Sequence, residues 1–191
     1  MANDEPGFKA PLSGGETFAG MDARVLDFWR FAMSDLQMNN LRGVLAEFLV
    51  ARAVGSTSAR VEWDAFDVLA PDGTRVEVKS SGYLQSWHQE RLSAVTFQVR
   101  PSYGWHPVTG TYATERTFQA DVYVFAHQTA TETAAYDALD VSQWDFYVLP
   151  RPVVEGFAGS RVGLARVRLV ARPVGFAKLG EAIEEAHAES L

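Results

Sequence analysis

Cysteine is absent from this 191-residue chain, which removes disulfides, thiolate catalysis and cysteine-ligated zinc from consideration. Lysine is nearly absent as well: Lys9, Lys79 and Lys178 stand beside fourteen arginines, so arginine is the default cation. The four histidines, His88, His106, His127 and His187, have no ligand spacing, and there is no Ser-His-Asp signature, phosphate loop or dinucleotide fingerprint. No apolar run approaches the roughly 20 residues of a membrane span, so a membrane partner is not expected. The stretch Met1-Ala2-Asn3-Asp4-Glu5-Pro6-Gly7 lacks the basic and apolar regions of a secretory leader, and the expected location is the cytoplasm. A net charge of −7 argues against long non-specific contact with nucleic acid. The charge is uneven, however. Between Arg151 and Lys178 six basic residues face a single acid, Glu155, so a local basic surface is compatible with the acidic total.

The length fits one domain with a substantial core. Residues 1–20, rich in Gly, Pro, Ser and charge, are expected to form a flexible arm ahead of a single domain over 21–191. From about Asp22, Val25, Leu26, Phe28, Trp29, Phe31, Ala32 and Leu36 follow a helical period. Asn39 and Asn40 can cap a second helix that ends at Ala53 or Val54, before Gly55. Ser93–Arg100 predicts a strand ended by Pro101, residues 101–118 a long loop, and Ala120–Ala126 a strand buried on both faces. Trp144–Leu149 predicts another strand, closed by Pro150, and Phe176–Ala188 a C-terminal helix; 156–170 fits either element. The order implies an α/β fold, a mixed central β-sheet flanked by helices.

The richest stretch runs from Phe66 to Lys79. Val76 and Val78 point one way while Arg75, Glu77 and Lys79 point the other. Pro71-Asp72-Gly73 supplies the turn, because proline pre-sets φ and glycine tolerates a positive φ. With those three residues as the loop, strand partners are mirrored about Asp72, which sets Asp67 opposite Glu77 and Ala65 opposite Lys79. Like charges directly opposed, roughly 4.5–5.5 Å apart at Cβ, are destabilising. A divalent cation between them removes that cost, and hard oxygen ligands suit Mg²⁺ or Mn²⁺ better than zinc. Lys79 is a compact donor suited to orienting a water, in a chain that otherwise uses arginine. The plain alternative is an exposed hairpin face carrying ordinary charges.

A third carboxylate lies upstream. The stretch Asn40–Val54 is almost wholly apolar apart from Arg42, Glu47 and Arg52. On a helix the two arginines lie about 80° apart with Glu47 opposite their midpoint. If the arginines mark the solvent side, Glu47 points inward and needs a partner. A core cation, water at the helix flank, and the hairpin carboxylates are the three candidates.

Glu47 on a helix, Asp67, then Glu77-Val78-Lys79 on consecutive strands resembles the PD-(D/E)XK nuclease superfamily, with its restriction-endonuclease-like core. The resemblance spans roughly residues 40–150. It implies that Asp67 and Glu77 bind Mg²⁺ or Mn²⁺ with the Val78 carbonyl as a further ligand. Glu47 would bind the metal directly or through water, and Lys79 would position and polarise the attacking water. The family's proline before the aspartate is replaced by Phe66, no helix is evident in 80–118, and Asp64 is a competing carboxylate on the opposite strand face. Residues after Lys79 would rim such a site: Gln85 as a hydrogen-bonding group, Tyr83 and Trp87 as base-stacking aromatics, Arg91 and Arg100 as phosphate contacts. The implied function is a metal-dependent endonuclease acting on DNA, whether duplex, branched or single-stranded. Such nucleases commonly form homodimers because a duplex has two strands, although no interface is marked here. The rival is a catalytically silent nuclease-like domain that binds nucleic acid or a protein partner.

Overall fold

Seven consecutive side chains, Val122–Gln128, are all buried, and the rest of the architecture follows from where they sit. The computed structural model describes residues 11–60, 65–106, 109–157 and 159–190, with the side chain of His106 excepted. Its elements are α1 (Val25–Met33), α2 (Asn39–Ala53), β1 (Val68–Leu69), β2 (Arg75–Gly82), β3 (Thr96–Gln98), β4 (Ser102–His106), β5 (Thr111–Thr117), β6 (Val122–Gln128), β7 (Trp144–Pro150), α3 (Arg151–Glu155), β8 (Arg161–Gly163), α4 (Leu164–Val170) and α5 (Phe176–Ala188). The chain divides into two units, Met1–Asp35 and Leu36–Leu191.

In the first unit, Glu16 accepts hydrogen bonds from the N–H groups of Ser13 and Gly14 and from the Ser13 hydroxyl. These bonds, the Ser13 N–H first, pull its carboxyl down to about 2. Backbone bonds from Val25 N–H to Glu16 C=O and from Leu26 N–H to Gly14 C=O fasten this segment to α1. The helix begins at Val25 rather than Asp22, with the Asp27 carboxylate accepting the Arg24 N–H at 2.8 Å. Val25 is buried, whereas Phe28 and Phe31 of the predicted apolar face are exposed.

The second unit is built on a four-stranded mixed sheet in the order β1-β2-β6-β7. β2 runs parallel to β6, and β1 and β7 are antiparallel to their neighbours. Strand β6 is therefore central and covered on both faces. Val122, Val124 and Ala126 join Val76, Val78 and Phe146 against Ala46, Leu49 and Val50 of α2 and Leu179 and Ile183 of α5. The alternate residues Tyr123 and Phe125 join Tyr147 and Leu149 against Phe97, Val154, Val162 and Val167 on the other side. The mixed α/β sheet flanked by helices is thus as the element order implied. One corner is pinned by charge: Arg75 forks onto Asp121, Nε to Oδ2 at 2.9 Å and Nη2 to Oδ1 at 2.5 Å, joining the starts of β2 and β6.

Three expectations are corrected and one open reading is resolved. Residues 101–118 are not one loop: β4 and β5 form an antiparallel ribbon, with Trp105 and Tyr112 rings 4.8 Å apart and the Arg116 guanidinium 4.7 Å over Tyr103. Most of β5 is exposed, so no buried face imposed the alternation that marks a strand. The Ser93–Arg100 strand shrinks to β3 and pairs with β8 outside the central sheet. Residues 156–170 resolve into both alternatives, β8 followed by α4. Finally, Met38 rather than an asparagine occupies the N-cap of α2, and Asn39 instead accepts from Arg42.

Two packing details are testable. A Cβ built on Gly180 would lie 2.5 Å from the Ala53 carbonyl oxygen, so the close approach of α5 to the end of α2 requires glycine there. Gly180→Ala is expected to lower stability by about 1–3 kcal/mol, read by urea denaturation. His127 is buried, and among the described residues neither ring nitrogen has a hydrogen-bond partner. Burial first, with Arg168 adding to it against the opposing Asp145, lowers its pKa from 6.5 to about 4. As pH falls the unfolded chain takes the proton first, so stability is lost between about 6.5 and 4, by about 3 kcal/mol. His127→Phe should flatten that part of the profile in pH-dependent urea titrations.

Candidate active site

The Phe66–Lys79 hairpin forms around its predicted turn. Ala70 N–H donates to Thr74 C=O and Gly73 N–H to Ala70 C=O, both at 2.9 Å, and Gly73 takes φ +94°. Val68 pairs with Val76 and Leu69 with Arg75, the register mirrored about Asp72. The ladder then stops. Asp67 N–H still reaches Val76 C=O at 3.1 Å, but the next backbone donor, Val78 N–H, is taken by the Asp67 carboxylate, Oδ2 at 2.7 Å. A side chain thus replaces a strand bond and fixes Asp67 at an edge of β2 that is unpaired beyond Val76 among the described residues. In an extended strand N–H and C=O of one residue share a side, so the Val78 carbonyl faces the same edge.

Glu77 and Lys79 alternate with buried Val76 and Val78 and lie in register with Tyr123 and Phe125 of β6. The Lys79 ammonium donates to Glu77 Oε1 and lies 4.0 Å from Asp67 Oδ2, so one cation serves both acids. Glu47, on the flank of α2, accepts from Arg60 Nε at 2.5 Å. The cation that hydrogen-bonds Glu47 is Arg60, which is exposed and so is not the core cation considered, while Asp67 and Lys79 lie within the electrostatic reach of Glu47. The solvent-side argument that pointed Glu47 inward is corrected in one respect. Arg42 is buried, donating to Leu84 C=O at 2.9 Å and to Asn39.

The electrostatics record the crowding. Burial raises the Glu77 carboxyl above its ordinary value, Lys79 opposes it, and Asp67 and Glu47 push the same way as burial. Glu47 is likewise raised by burial, against the hydrogen bond from Arg60. For Lys79, burial favours the neutral amine, but Glu77, Asp67 and Glu47 outweigh it and hold the ammonium above its usual range. Among the described residues no three His, Asp or Glu side chains converge as a preformed metal cage. Arg60 and Lys79 instead hold one oxygen each of Glu47 and Glu77.

The residues expected to rim the site are placed elsewhere. Gln85 is enmeshed in the backbone after β2: its Nε2 donates to Gly82 C=O at 3.3 Å and its Oε1 lies 3.4 Å from Arg42 Nη2. Tyr83 packs edge-on against His127, ring centroids 5.0 Å apart, beside the second core. Trp87 and Arg91 line a groove with Thr131 and Thr133, and Arg100 is exposed beyond β3. None of the five hydrogen-bonds or ion-pairs with the carboxylate cluster. Asp64 lies outside the described residues. Sequence reasoning missed Arg60, which no spacing rule ties to Glu47. It also missed a cleft of about 400 Å³ lined by Val44, Phe48, Phe66 and Leu69 together with Glu47, Arg60 and Asp67.

Two acids and one ammonium thus meet at one edge of the mixed sheet. A family model for bacteriophage T4 endonuclease IV matches residues 28–155, about two thirds of the chain, and the chain belongs to that family. The matched span contains every residue of the cluster. No curated protein matches the chain.

If Lys79 neutralises both acids, its removal leaves Glu77 facing Asp67 unscreened. Lys79→Met is expected to raise the Glu77 titration midpoint further, followed by carboxyl-carbon NMR. An unchanged midpoint would mean that the ammonium does not govern the site.

Proposed function

We propose that this protein is a metal-dependent DNA endonuclease of the PD-(D/E)XK type, working at the Asp67–Glu77–Lys79 cluster. The observation that carries the reading is the single ammonium shared by two acids at the edge of the central sheet, in a chain of an endonuclease family. The donor set suits Mg²⁺ or Mn²⁺. Asp67 and Glu77 offer hard carboxylate oxygens, and the Val78 carbonyl faces the same edge. Beyond Arg60 and Lys79, no basic side chain is ion-paired to these acids among the described residues.

When bound, a divalent cation supplies Lewis acidity toward the phosphoryl oxygen and the attacking water. The remaining work falls to the chain. Asp67 and Glu77 would hold the cation, since the mutual repulsion of two neighbouring acids favours positive charge between them. The Lys79 ammonium would orient the water for attack on phosphorus and stabilise charge developing on the phosphoryl group. Glu47, beside Asp67, holds a water on the α2 side, while Arg60 keeps its carboxylate in place.

The test is cleavage of supercoiled, linear, branched and single-stranded DNA with Mg²⁺ or Mn²⁺. Lys79→Ala should lower the rate by a factor on the order of 10²–10⁴, with Asp67→Asn and Glu77→Gln also strongly impaired. DNA binding without cleavage of any substrate would favour the silent nuclease-like alternative. Equal cleavage by Lys79→Ala, or undiminished cleavage in EDTA, would remove the proposed site.

A further inference from the structure

The arginines grouped towards the end of the chain have no part in the site described above. Between Gly156 and Gly180 stand five of the seventeen basic residues and none of the twenty-four acids, so this stretch reverses the sign of an acidic protein. Two of the five are already engaged. Lys178 is ion-paired with Glu181 at 2.8 Å, and Arg172 borders a groove with Glu185 and Glu189 of α5. Arg161 of β8 and Arg166 and Arg168 of α4 remain. All three are exposed, and none is ion-paired among the described residues. Asp145 of β7 lies within electrostatic reach of Arg168 without pairing with it. Two of the three guanidinium groups are held by aromatic rings. Arg168 Nε donates to the Tyr147 hydroxyl at 2.9 Å, and Arg166 lies 5.7 Å over the ring of Phe157. A guanidinium held in this way presents its fork to a phosphate at a lower entropy cost.

Their place relative to the carboxylate cluster follows from the sheet register. Lys79 pairs with Phe125 and Phe125 with Tyr147, so the three lie in one row across β2, β6 and β7, on one face. Arg168 is fastened to the far end of that row. Two strand spacings, roughly 10 Å, separate its ends, about three phosphates along one DNA strand. Leu164 and Val167, on the inner side of α4, pack in the same core as Phe125 and Tyr147. The arginines therefore stand over the face of the sheet from which Glu77 and Lys79 emerge.

We infer that Arg161, Arg166 and Arg168 bind the phosphate backbone of DNA on one side of the bond held at Asp67, Glu77 and Lys79. The inference rests on the nuclease reading and adds to it the surface by which an acidic protein holds a polyanion. Charge selects the occupant, because neighbouring guanidinium groups repel one another and a row of anions removes that cost. The exposed apolar surface beside them is two side chains, Leu169 and Val170, far short of the roughly 800 Å² per partner of a stable protein interface.

The experiment is a salt titration of affinity. A fluorescently labelled oligonucleotide, duplex or single-stranded, is bound to the full chain at a low fixed Ca²⁺ concentration, and anisotropy gives the affinity at each salt concentration. Each phosphate neutralised contributes about 0.9 to the slope of log affinity against log salt on duplex, and about 0.7 on a single strand. Arg161→Gln, Arg166→Gln and Arg168→Gln should each lower the slope by about that amount, and the triple variant by about three times as much. Because Arg161 and Arg166 are exposed, neither of those substitutions threatens folding. Arg168→Lys, which keeps the charge, should keep the slope, and so should Lys178→Gln, whose ammonium is held by Glu181. A triple variant with the wild-type slope, or an equal change in Lys178→Gln, overturns the inference while leaving DNA cleavage and its Lys79 dependence standing. Failure of wild type to bind either oligonucleotide overturns the nuclease reading and the inference together.

Discussion

Three carboxylates cannot be held side by side at a partly desolvated sheet edge unless cations stand between them. Here Lys79 stands between Glu77 and Asp67, and Arg60 against Glu47. The fold can be read as the means of keeping that balance. β6, buried on both faces, fixes β2 in register so that Glu77 and Lys79 emerge on one side with Val76 and Val78 anchored on the other. The short β1 brings Asp67 to the edge and then ends, leaving the acid to complete the ladder with its own side chain. α2, packed on the opposite face, reaches around the edge with Glu47. Each acid comes from a different element, so the cluster exists only when the sheet and the helix are assembled.

On the proposed reading, the same crowding is what would draw a cation to the site, and Lys79 and Arg60 occupy the acids, which among the described residues are not arranged as a cage. Raised carboxyl values at Glu47 and Glu77 express lost hydration first and mutual repulsion second, which a dication would relieve more fully than one ammonium. Lys79 is thereby a placeholder for positive charge as well as a donor. An arginine would be a poorer choice at this position. Its broad, planar head cannot give way as easily, and its hydrogen bonds favour a permanent fork of the kind that Arg75 makes with Asp121.

Much of this was legible in the sequence where a short-range rule applied. The Pro71-Asp72-Gly73 turn set the register, the alternation of Val76 and Val78 with Glu77 and Lys79 set the faces, and a continuous apolar run marked β6. The central helices were legible because their buried faces are periodic, and α5 spans the predicted Phe176–Ala188. What escaped depended on long-range partners. Arg42 looked like a solvent marker because nothing local shows that Leu84 C=O, some forty residues on, waits for its guanidinium. The β4–β5 ribbon escaped because its side chains are mostly exposed and its stability comes from pairs such as Trp105–Tyr112 across the strands. Gln85, placed by analogy at the rim, is consumed by its own backbone neighbourhood.

Membership of the bacteriophage T4 endonuclease IV family points to phosphodiester chemistry, and the role proposed for a metal at the cluster is the point on which the account turns. Titration of the full chain with Mn²⁺, followed by the loss of the free-ion electron paramagnetic resonance signal, tests it most directly. The account predicts saturable binding in wild type, weakened at least about tenfold by Glu77→Gln and by Asp67→Asn. Absence of binding in wild type, or affinity unchanged in both variants, would contradict it.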